Sequence, residues 1–344
     1  MFHARRARRA FLLSTLAAMG ASAFAQAPLR QPASAATMPA EASREGKVTL
    51  YTSMLPIQCE RITASFKKAH PSVELQITRN TENILTQKIL QEQSVQADGA
   101  DVVIVSNTDF ADSQIAAGQV MKPIGQVVGR FGGTKFMYRD ISPVVASYYV
   151  VLAYNSQRVP TAPATFKELV APGKDLVIGS IAVEAGSGAA LFYDVLRKAI
   201  PGYWEQLARR NIRLYPGSVP LSQALASGEI DVALYGVPPA LAPLVKEGAP
   251  IRMATATDVR SVGGVFAAQI LKNAKRPAAA QLLVDYMMSP EGQLALNGDG
   301  LGMANSPGVA GALPPADFLI LDTKVYNTEQ VKKINGEFQK VFKK

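Results

Sequence analysis

Residues 100–106 read Ala-Asp-Val-Val-Ile-Val-Ser, and this run decides the fold class. Four consecutive apolar residues, three of them valine, are typical of a strand buried on both faces of a parallel sheet. A second run of this kind spans Asp231 to Tyr235. Each run follows a stretch with helical periodicity. We therefore predict an α/β protein whose open sheets are built from right-handed βαβ units.

Two series of alternating strands and helices extend outward from these runs. The predicted strands cover 48–51, 73–77, 101–105, 176–181, 213–215 and 231–235, and the predicted helices cover 57–70, 82–95, 187–199 and 219–227. Two long β-rich runs, near 148–155 and 263–271, bracket the second series. We expect the chain to cross there between two doubly wound lobes. Lobe I would comprise 47–150 and 266–344, and lobe II would comprise 151–265.

The N-terminus has the three parts of a signal peptide. Arg5, Arg6, Arg8 and Arg9 precede an apolar run at 11–19, which is shorter than the roughly 20 residues of a membrane span. Residues 1–25 end in a small-x-small cleavage site, Ala23-Phe24-Ala25. The Arg8-Arg9 pair resembles a twin-arginine motif, and an ordinary Sec signal is the alternative. We expect a periplasmic protein with a flexible leader over 26–46, a stretch rich in Ala, Pro and Ser.

Composition argues against several functions. Loss of residues 1–25, with four arginines and no acid, lowers the formal charge from +9 to +5, and the remaining charges are interspersed. That pattern favours a solvated surface over nucleic-acid binding. Cys59 is the only cysteine, and His70 is the only histidine after cleavage. An intramolecular disulfide and a multi-histidine metal site are therefore impossible, and a Ser-His-Asp triad is hard to build.

Ordered motifs along the chain resemble a known family. They are Leu50-Tyr51-Thr52-Ser53, Phe66-Lys67-Lys68-Ala69-His70-Pro71, Ala100-Asp101-Val102-Val103, Ala153-Tyr154-Asn155, Pro163-Ala164-Thr165-Phe166, Ala226-Ser227-Gly228-Glu229, Gly248-Ala249-Pro250 and Ser289-Pro290-Glu291-Gly292-Gln293. Together they resemble periplasmic solute-binding proteins of ABC importers, in the branch that binds ferric iron, thiamine, phosphonates and sugar phosphates. The resemblance implies a type II periplasmic binding fold, in which a two-strand hinge joins the lobes and the ligand lies in the cleft.

The site follows from the sheets as well as from the resemblance. Ligands of open α/β sheets lie beyond the carboxyl ends of the strands, near helix N-termini whose amides favour anions. The candidate ligand-binding residues on lobe I are Ser53, Met54, Arg79, Asn80, Thr81, Ser106 and Asn107. Those on lobe II are Glu184, Gly186, Ser187, Gly188, Tyr235 and Gly236. Some have structural alternatives: the serines as helix caps, the glycines as turn residues, Tyr235 as core and Arg79 as a surface charge.

The chain departs from the family's ferric binders at each iron-ligand position. Those proteins use a His and a Glu from the first lobe and an adjacent Tyr pair from the second. Leu55 and Ser106 stand near the first two positions, and Pro238-Pro239 stands where the Tyr pair would fall. Fe(III) prefers anionic oxygen ligands, so we expect no metal and no cofactor. Tyr148-Tyr149 cannot replace the pair, because neighbouring strand residues point to opposite faces.

These observations predict a non-catalytic receptor that captures a small, anionic organic solute by lobe closure. Its partners would be that solute and an inner-membrane ABC permease, and we expect a monomer. Iron or thiamine binding within the same family stays open, as does a solute-sensing role with a membrane histidine kinase. A secreted enzyme is the third possibility, which the missing histidine chemistry disfavours.

Overall fold

The computed structural model describes residues 34–342 except 174, 315 and 323. Its strands form two sheets, one in each of two α/β lobes, which confirms the predicted fold class. The predicted signal peptide lies outside the described residues. None of the helices in the described part of the chain is long and apolar enough to cross a membrane.

Lobe I contains the larger sheet, whose strands come from two distant parts of the chain. They are β1 (Lys47–Thr52), β2 (Glu74–Arg79), β3 (Val102–Val105), β4 (Val120–Met121), β5 (Met137–Tyr138), β6 (Ser142–Tyr149), β12 (Val262–Leu271) and β13 (Leu319–Ile320). The order is β2-β1-β3-β12-β6-β5, and β4 and β13 both pair with β12. The first three strands are parallel, and β12 runs antiparallel to β3 and β6. Their helices are α1 (Met38–Glu45), α2 (Pro56–Ala69), α3 (Glu82–Ser94), α4 (Thr108–Ala116), α10 (Pro277–Met287) and α11 (Pro290–Asn297).

Lobe II contains a five-stranded sheet of order β11-β7-β10-β8-β9. Its strands are β7 (Val151–Asn155), β8 (Ile178–Ile181), β9 (Ile212–Tyr215), β10 (Val232–Gly236) and β11 (Ile251–Ala254). Its helices are α5 (Phe166–Leu169), α6 (Ser187–Ala199), α7 (Tyr203–Ala208), α8 (Ser218–Ala226), α9 (Pro238–Lys246) and α12 (Thr328–Phe342). The parallel strands β9, β8 and β10 carry the βαβ units that the sequence predicts.

The hinge differs in part from its prediction. Val150 separates β6 of lobe I from β7 of lobe II, within the range 148–155, and residues 255–261 separate β11 of lobe II from β12 of lobe I, ahead of the range 263–271. The two crossings lie side by side, because the Val150 amide donates to the Val262 carbonyl at 2.7 Å. The run 263–271 belongs to β12, which spans the middle of the lobe I sheet. Residues 262–265 are thus part of lobe I, and the predicted boundary at 265 is wrong.

The leader prediction is wrong for residues 38–45, which form α1. Met38 and Ala42 of α1 are buried against lobe I, and the Glu45 carboxylate accepts hydrogen bonds from the Ala278 and Ala279 amides at 3.2 and 2.7 Å. That carboxylate caps the N-terminus of α10. Two buried residues over two turns give too weak a periodicity to recognise in a sequence. Residues 26–33 lie outside the described chain.

The C-terminal helix α12 belongs to lobe II, although the sequence analysis assigned 266–344 to lobe I. Ile334 and Phe338 are fully buried in the lobe II core. The Phe338 ring lies 4.4 Å from the ring of Tyr193 on α6. Because β13 pairs with β12 in lobe I, the segment between β13 and α12 crosses the cleft a third time.

A buried ion-pair network joins the two chain segments of lobe I. Arg276, at the start of α10, donates through Nε to Oδ2 of the fully buried Asp101 at 2.7 Å. Its Nη atoms donate to both carboxylate oxygens of Asp98, at 2.6 and 3.0 Å. These hydrogen bonds hold the pKa of Asp98 below its ordinary value. Asp101 Oδ2 also accepts from the Thr49 amide of β1 at 2.8 Å.

Candidate functional site

A cavity of about 650 Å³ lies between the two lobes. The carboxyl ends of β1, β2 and β3 open onto it from lobe I, and those of β8, β9 and β10 open onto it from lobe II. The N-terminal ends of α3, α4, α6 and α8 reach it as well. Amides at such ends lack intrahelical acceptors, so the cavity is suited to anionic and polar groups.

Eleven of the thirteen predicted site residues line this cavity. They are Ser53, Arg79, Asn80, Thr81, Ser106, Asn107, Glu184, Gly186, Ser187, Gly188 and Tyr235. Met54 and Gly236 do not. The Met54 side chain is fully buried in the lobe I core. A Cβ on Gly236 would lie 2.7 Å from the Val151 carbonyl oxygen, so this glycine permits close contact of β10 with β7.

Arg79 ends β2 and is held at the cavity by the main chain. Its Nε donates to the Met54 carbonyl at 2.7 Å. Within the described part of the chain, neither Nη atom has a hydrogen-bond or ion-pair partner. The guanidinium thus keeps a pair of donors for a ligand oxyanion, and Met54 contributes to the site through its carbonyl alone.

Glu82 is a site residue that the sequence analysis missed. It lies in the first turn of α3, lines the cavity, and accepts hydrogen bonds at Oε1 from the hydroxyls of Ser53 and Ser106 and from the Ser106 amide. The two serines are therefore partly committed to this carboxylate. Its position after the N-cap Thr81 was the signal available in the sequence, since acids are favoured in the first turn of a helix.

The lobe II wall is formed around the start of α6. Gly186 is the N-cap with φ of 153°, a value that L side chains rarely adopt, and no side chain caps the helix. Ser187 and Gly188 follow at the cavity wall. Glu184 precedes them, and its Oε1 accepts a hydrogen bond from Gln339 Nε2 of α12. Gly217 and Ser218, at the start of α8, extend this wall.

Two tyrosines face the cavity from opposite lobes, Tyr148 from β6 and Tyr235 from β10. Neither hydroxyl has a hydrogen-bond partner among the residues that the structure describes. Burial, aided by the negative charge of Glu82, raises the pKa of Tyr148 to about 12. Burial raises the pKa of Tyr235 well above its ordinary value, and Tyr148 and Glu82 add to the effect. Without a bound cation, both phenols therefore stay protonated near neutral pH and can donate a hydrogen bond to a ligand.

The opposite orientation of Tyr148 and Tyr149 agrees with the strand alternation expected from the sequence. Tyr148 lines the cavity, whereas Tyr149 is buried with its ring 6.3 Å from that of Phe318. Leu55 lines the cavity too. Within the described residues, no three His, Cys, Asp or Glu side chains are placed to hold a metal ion.

The C-terminal segment supplies cavity residues that the sequence analysis did not identify. They are Ile320, Leu321, Val331 and Asn335. No local pattern could reveal them, because the pairing of β13 with β12 and the packing of α12 in lobe II are contacts between distant parts of the chain.

Two α/β lobes around a polar cleft define a two-lobed binding protein, and the comparisons with known proteins identify its family. Residues 56–302 match the family described as bacterial extracellular solute-binding protein, and the chain belongs to that family. No curated protein matches the sequence at a significant level.

Solved structures share the fold. The periplasmic binding protein AfuA from Actinobacillus pleuropneumoniae, with fructose-6-phosphate bound, is 19% identical with a TM-score of 0.67, over 87% of this chain and 99% of that one. A substrate-binding protein of an ABC transporter from Agrobacterium tumefaciens is 15% identical with a TM-score of 0.70, over 88% and 97%. Iron-bound HitA from Pseudomonas aeruginosa is 19% identical with a TM-score of 0.60, over 86% and 99%.

Proposed function

We propose that this protein captures a small organic acid in the cleft between its lobes and delivers it to an inner-membrane ABC permease. One observation carries the proposal. The guanidinium of Arg79, with both Nη atoms unengaged within the described chain, and the uncapped start of α6 at Gly186–Gly188 line the same cavity from opposite lobes. An acidic group between them would contact both lobes.

Contact with both lobes gives a physical reason for closure. A ligand shifts a conformational equilibrium only by as much as it binds one state more tightly than the other. An acid that touches Arg79 alone would favour neither state, whereas an acid that also accepts from the α6 amides favours the closed state. Hinge closure of this kind is the known response of two-lobed receptors, and we propose that the protein is a receptor and not an enzyme.

Two structurally similar proteins bind different solutes, fructose-6-phosphate in AfuA and iron in HitA. The chemistry of this cavity favours the organic acid. Fe(III) prefers anionic oxygen ligands, whereas Arg79 and the amides at the start of α6 are hydrogen-bond donors that suit an oxyanion.

A thermal-shift screen of residues 26–344 tests the function. The panel contains carboxylates, phosphate esters, phosphonates, thiamine and ferric citrate. We expect stabilisation by at least one organic acid, since a ligand at 100 times its dissociation constant adds about 2.7 kcal/mol to the free energy of unfolding. A stoichiometric coloured ferric complex, with no response to any organic acid, would instead establish an iron receptor.

We further propose that the protein is exported to the periplasm as a monomer, after cleavage between Ala25 and Gln26. The family's extracellular description supports the export, and the tripartite N-terminus supports both the export and the cleavage site. N-terminal sequencing of periplasmic material should begin at Gln26, and an intact Met1 would contradict the proposal. Changing Arg8 and Arg9 together to lysine distinguishes the routes, because only twin-arginine export should stop.

A further inference from the structure

Acidic side chains outnumber basic ones in the lining of the cavity, among the residues that the structure describes. Among the described lining residues, Arg79 is the only cation, whereas Glu82 and Glu184 are both acids. Neither glutamate has an ion-pair partner within the described residues. A purely anionic solute would therefore enter a cleft in which acidic side chains outnumber basic ones.

Each carboxylate is fixed through one oxygen and keeps the other for a ligand. All the hydrogen bonds to Glu82 within the described chain go to Oε1, from Ser53 and Ser106. Glu184 likewise accepts from Gln339 at Oε1. The Oε2 atoms have no hydrogen-bond partner among the described residues, and ionised carboxylates only accept.

The neighbouring turn of α12 adds a further acceptor. Asn335 lies four residues before Gln339, on the same face of the helix, and lines the cavity. Its Oδ1 is buried and has no hydrogen-bond partner in the described chain. Tyr235, whose side chain is 8% exposed, also lines this cavity with an unpartnered hydroxyl. Buried polar atoms without protein partners indicate positions where a polar ligand or water completes the hydrogen bonding.

Lobe closure carries a free-energy cost when acidic side chains outnumber basic ones in the cavity. Exclusion of water from two carboxylates and one guanidinium leaves a net negative charge in a medium of low polarity. A hydroxyl on the ligand would satisfy a hydrogen bond and leave that charge in place. A protonated amine would satisfy the hydrogen bond and neutralise the charge.

We propose that the solute carries a protonated amine as well as an acidic group, and that Glu184, positioned by Gln339, binds the amine. The inference rests on the proposed function, because it adds a second group to the acid that Arg79 holds. Arg79 belongs to lobe I, and Glu184 and Gln339 belong to lobe II. The two ends of one zwitterion would then join the lobes.

Matched compounds test the inference by isothermal titration calorimetry. Two series keep the acid and vary the far end: ethyl phosphate, 2-hydroxyethyl phosphate and phosphoethanolamine, then pentanoate, 5-hydroxypentanoate and 5-aminopentanoate. In at least one series we expect the amine to bind about ten-fold tighter than its hydroxyl counterpart, as a charge-assisted hydrogen bond provides. Equal or weaker binding of the amines in both series overturns the inference.

Variants connect the preference to Glu184. In Glu184→Gln the ratio of amine to hydroxyl binding should fall to about one, while the amine-free acids keep or gain affinity. Gln339→Leu should lower the same ratio in part, because the carboxylate loses its fixed orientation. Glu247→Gln removes an equal charge from an exposed site outside the cavity lining, and the ratio should be unchanged.

The two proposals fail in different ways. A ratio that persists in Glu184→Gln overturns the assignment of the amine to this residue. Binding of amine-free acids alone overturns the inference and leaves the proposed function in place. Failure of every acid in both the screen and the matched series removes the proposed function, and the inference with it.

Discussion

Replacing Arg79 by alanine is expected to weaken binding of the acidic solute about ten- to hundred-fold while the fold stays intact. A charge-assisted hydrogen bond contributes roughly 1.5–3 kcal/mol, and about 1.4 kcal/mol corresponds to a factor of ten. The side chain is exposed at the cavity and makes one hydrogen bond, to the Met54 carbonyl, so its removal costs the core little. Calorimetry with the acid that binds best in the screen measures the effect.

Two further variants serve as comparisons for Arg79→Ala. Arg209→Ala removes the same charge from an exposed position outside the cavity lining and should leave affinity unchanged. Ser187→Ala should cost less than Arg79→Ala, because the amides at the start of α6 remain. If Arg79→Ala binds like the Arg209 variant, Arg79 is a surface charge and the acid is held elsewhere.

In Arg276→Met, we expect a loss of about 3–5 kcal/mol in the free energy of unfolding, because breaking a buried ion pair leaves an uncompensated charge. The charge left behind is that of Asp101, which is fully buried between β1, β3 and the start of α10. Methionine keeps much of the side-chain volume, so the loss reports the charge and hydrogen bonds more than a cavity. Urea denaturation followed by circular dichroism measures it.

The matched control is Arg213→Met. Arg213 pairs with Glu229 at 2.8 Å, but both side chains are about half exposed, at 45% and 48%. Solvent screens exposed pairs and they add little to stability, so this variant should stay close to the parent protein. A similar loss in both variants would mean that burial of Asp101 adds nothing to the strength of its ion pair.

Local patterns were sufficient to predict the helices α2, α3, α6 and α8 and the six strands of the two alternating series. The predicted helix 187–199 is α6 to the residue, and the apolar run at 102–105 is the buried strand β3. Both signals arise from neighbouring residues in the chain, the 3.6-residue period in one and continuous β-branched residues in the other. The carboxyl ends of those strands then located eleven cavity residues, because parallel strands end at one edge of a sheet.

Features that depend on contacts between distant parts of the chain could not be predicted from the sequence. The run 263–271 is apolar and β-rich, which suits a hinge strand and a central sheet strand equally, and the pairing of β12 with β3 and β6 decides between them. Asn335 lines the cavity, and Gln339 donates a hydrogen bond to Glu184, only because α12 returns to lobe II. Met54 follows the carboxyl end of β1, where a ligand-binding residue is expected. Its side chain is nevertheless buried in the core, and its carbonyl accepts a hydrogen bond from Arg79.

The return of α12 to lobe II also governs the order in which the two lobes can be completed. Lobe I needs β12, α10, α11 and β13, so it cannot be complete until about residue 320 is available. Lobe II is completed later, because Ile334 and Phe338 of the C-terminal helix α12 fill its core. Domains generally fold as units once their residues are available, and here both units are interleaved along the chain. The cleft is therefore complete only once α12 has packed, and a chain that ends before α12 would have a complete lobe I beside a lobe II core without Ile334 and Phe338.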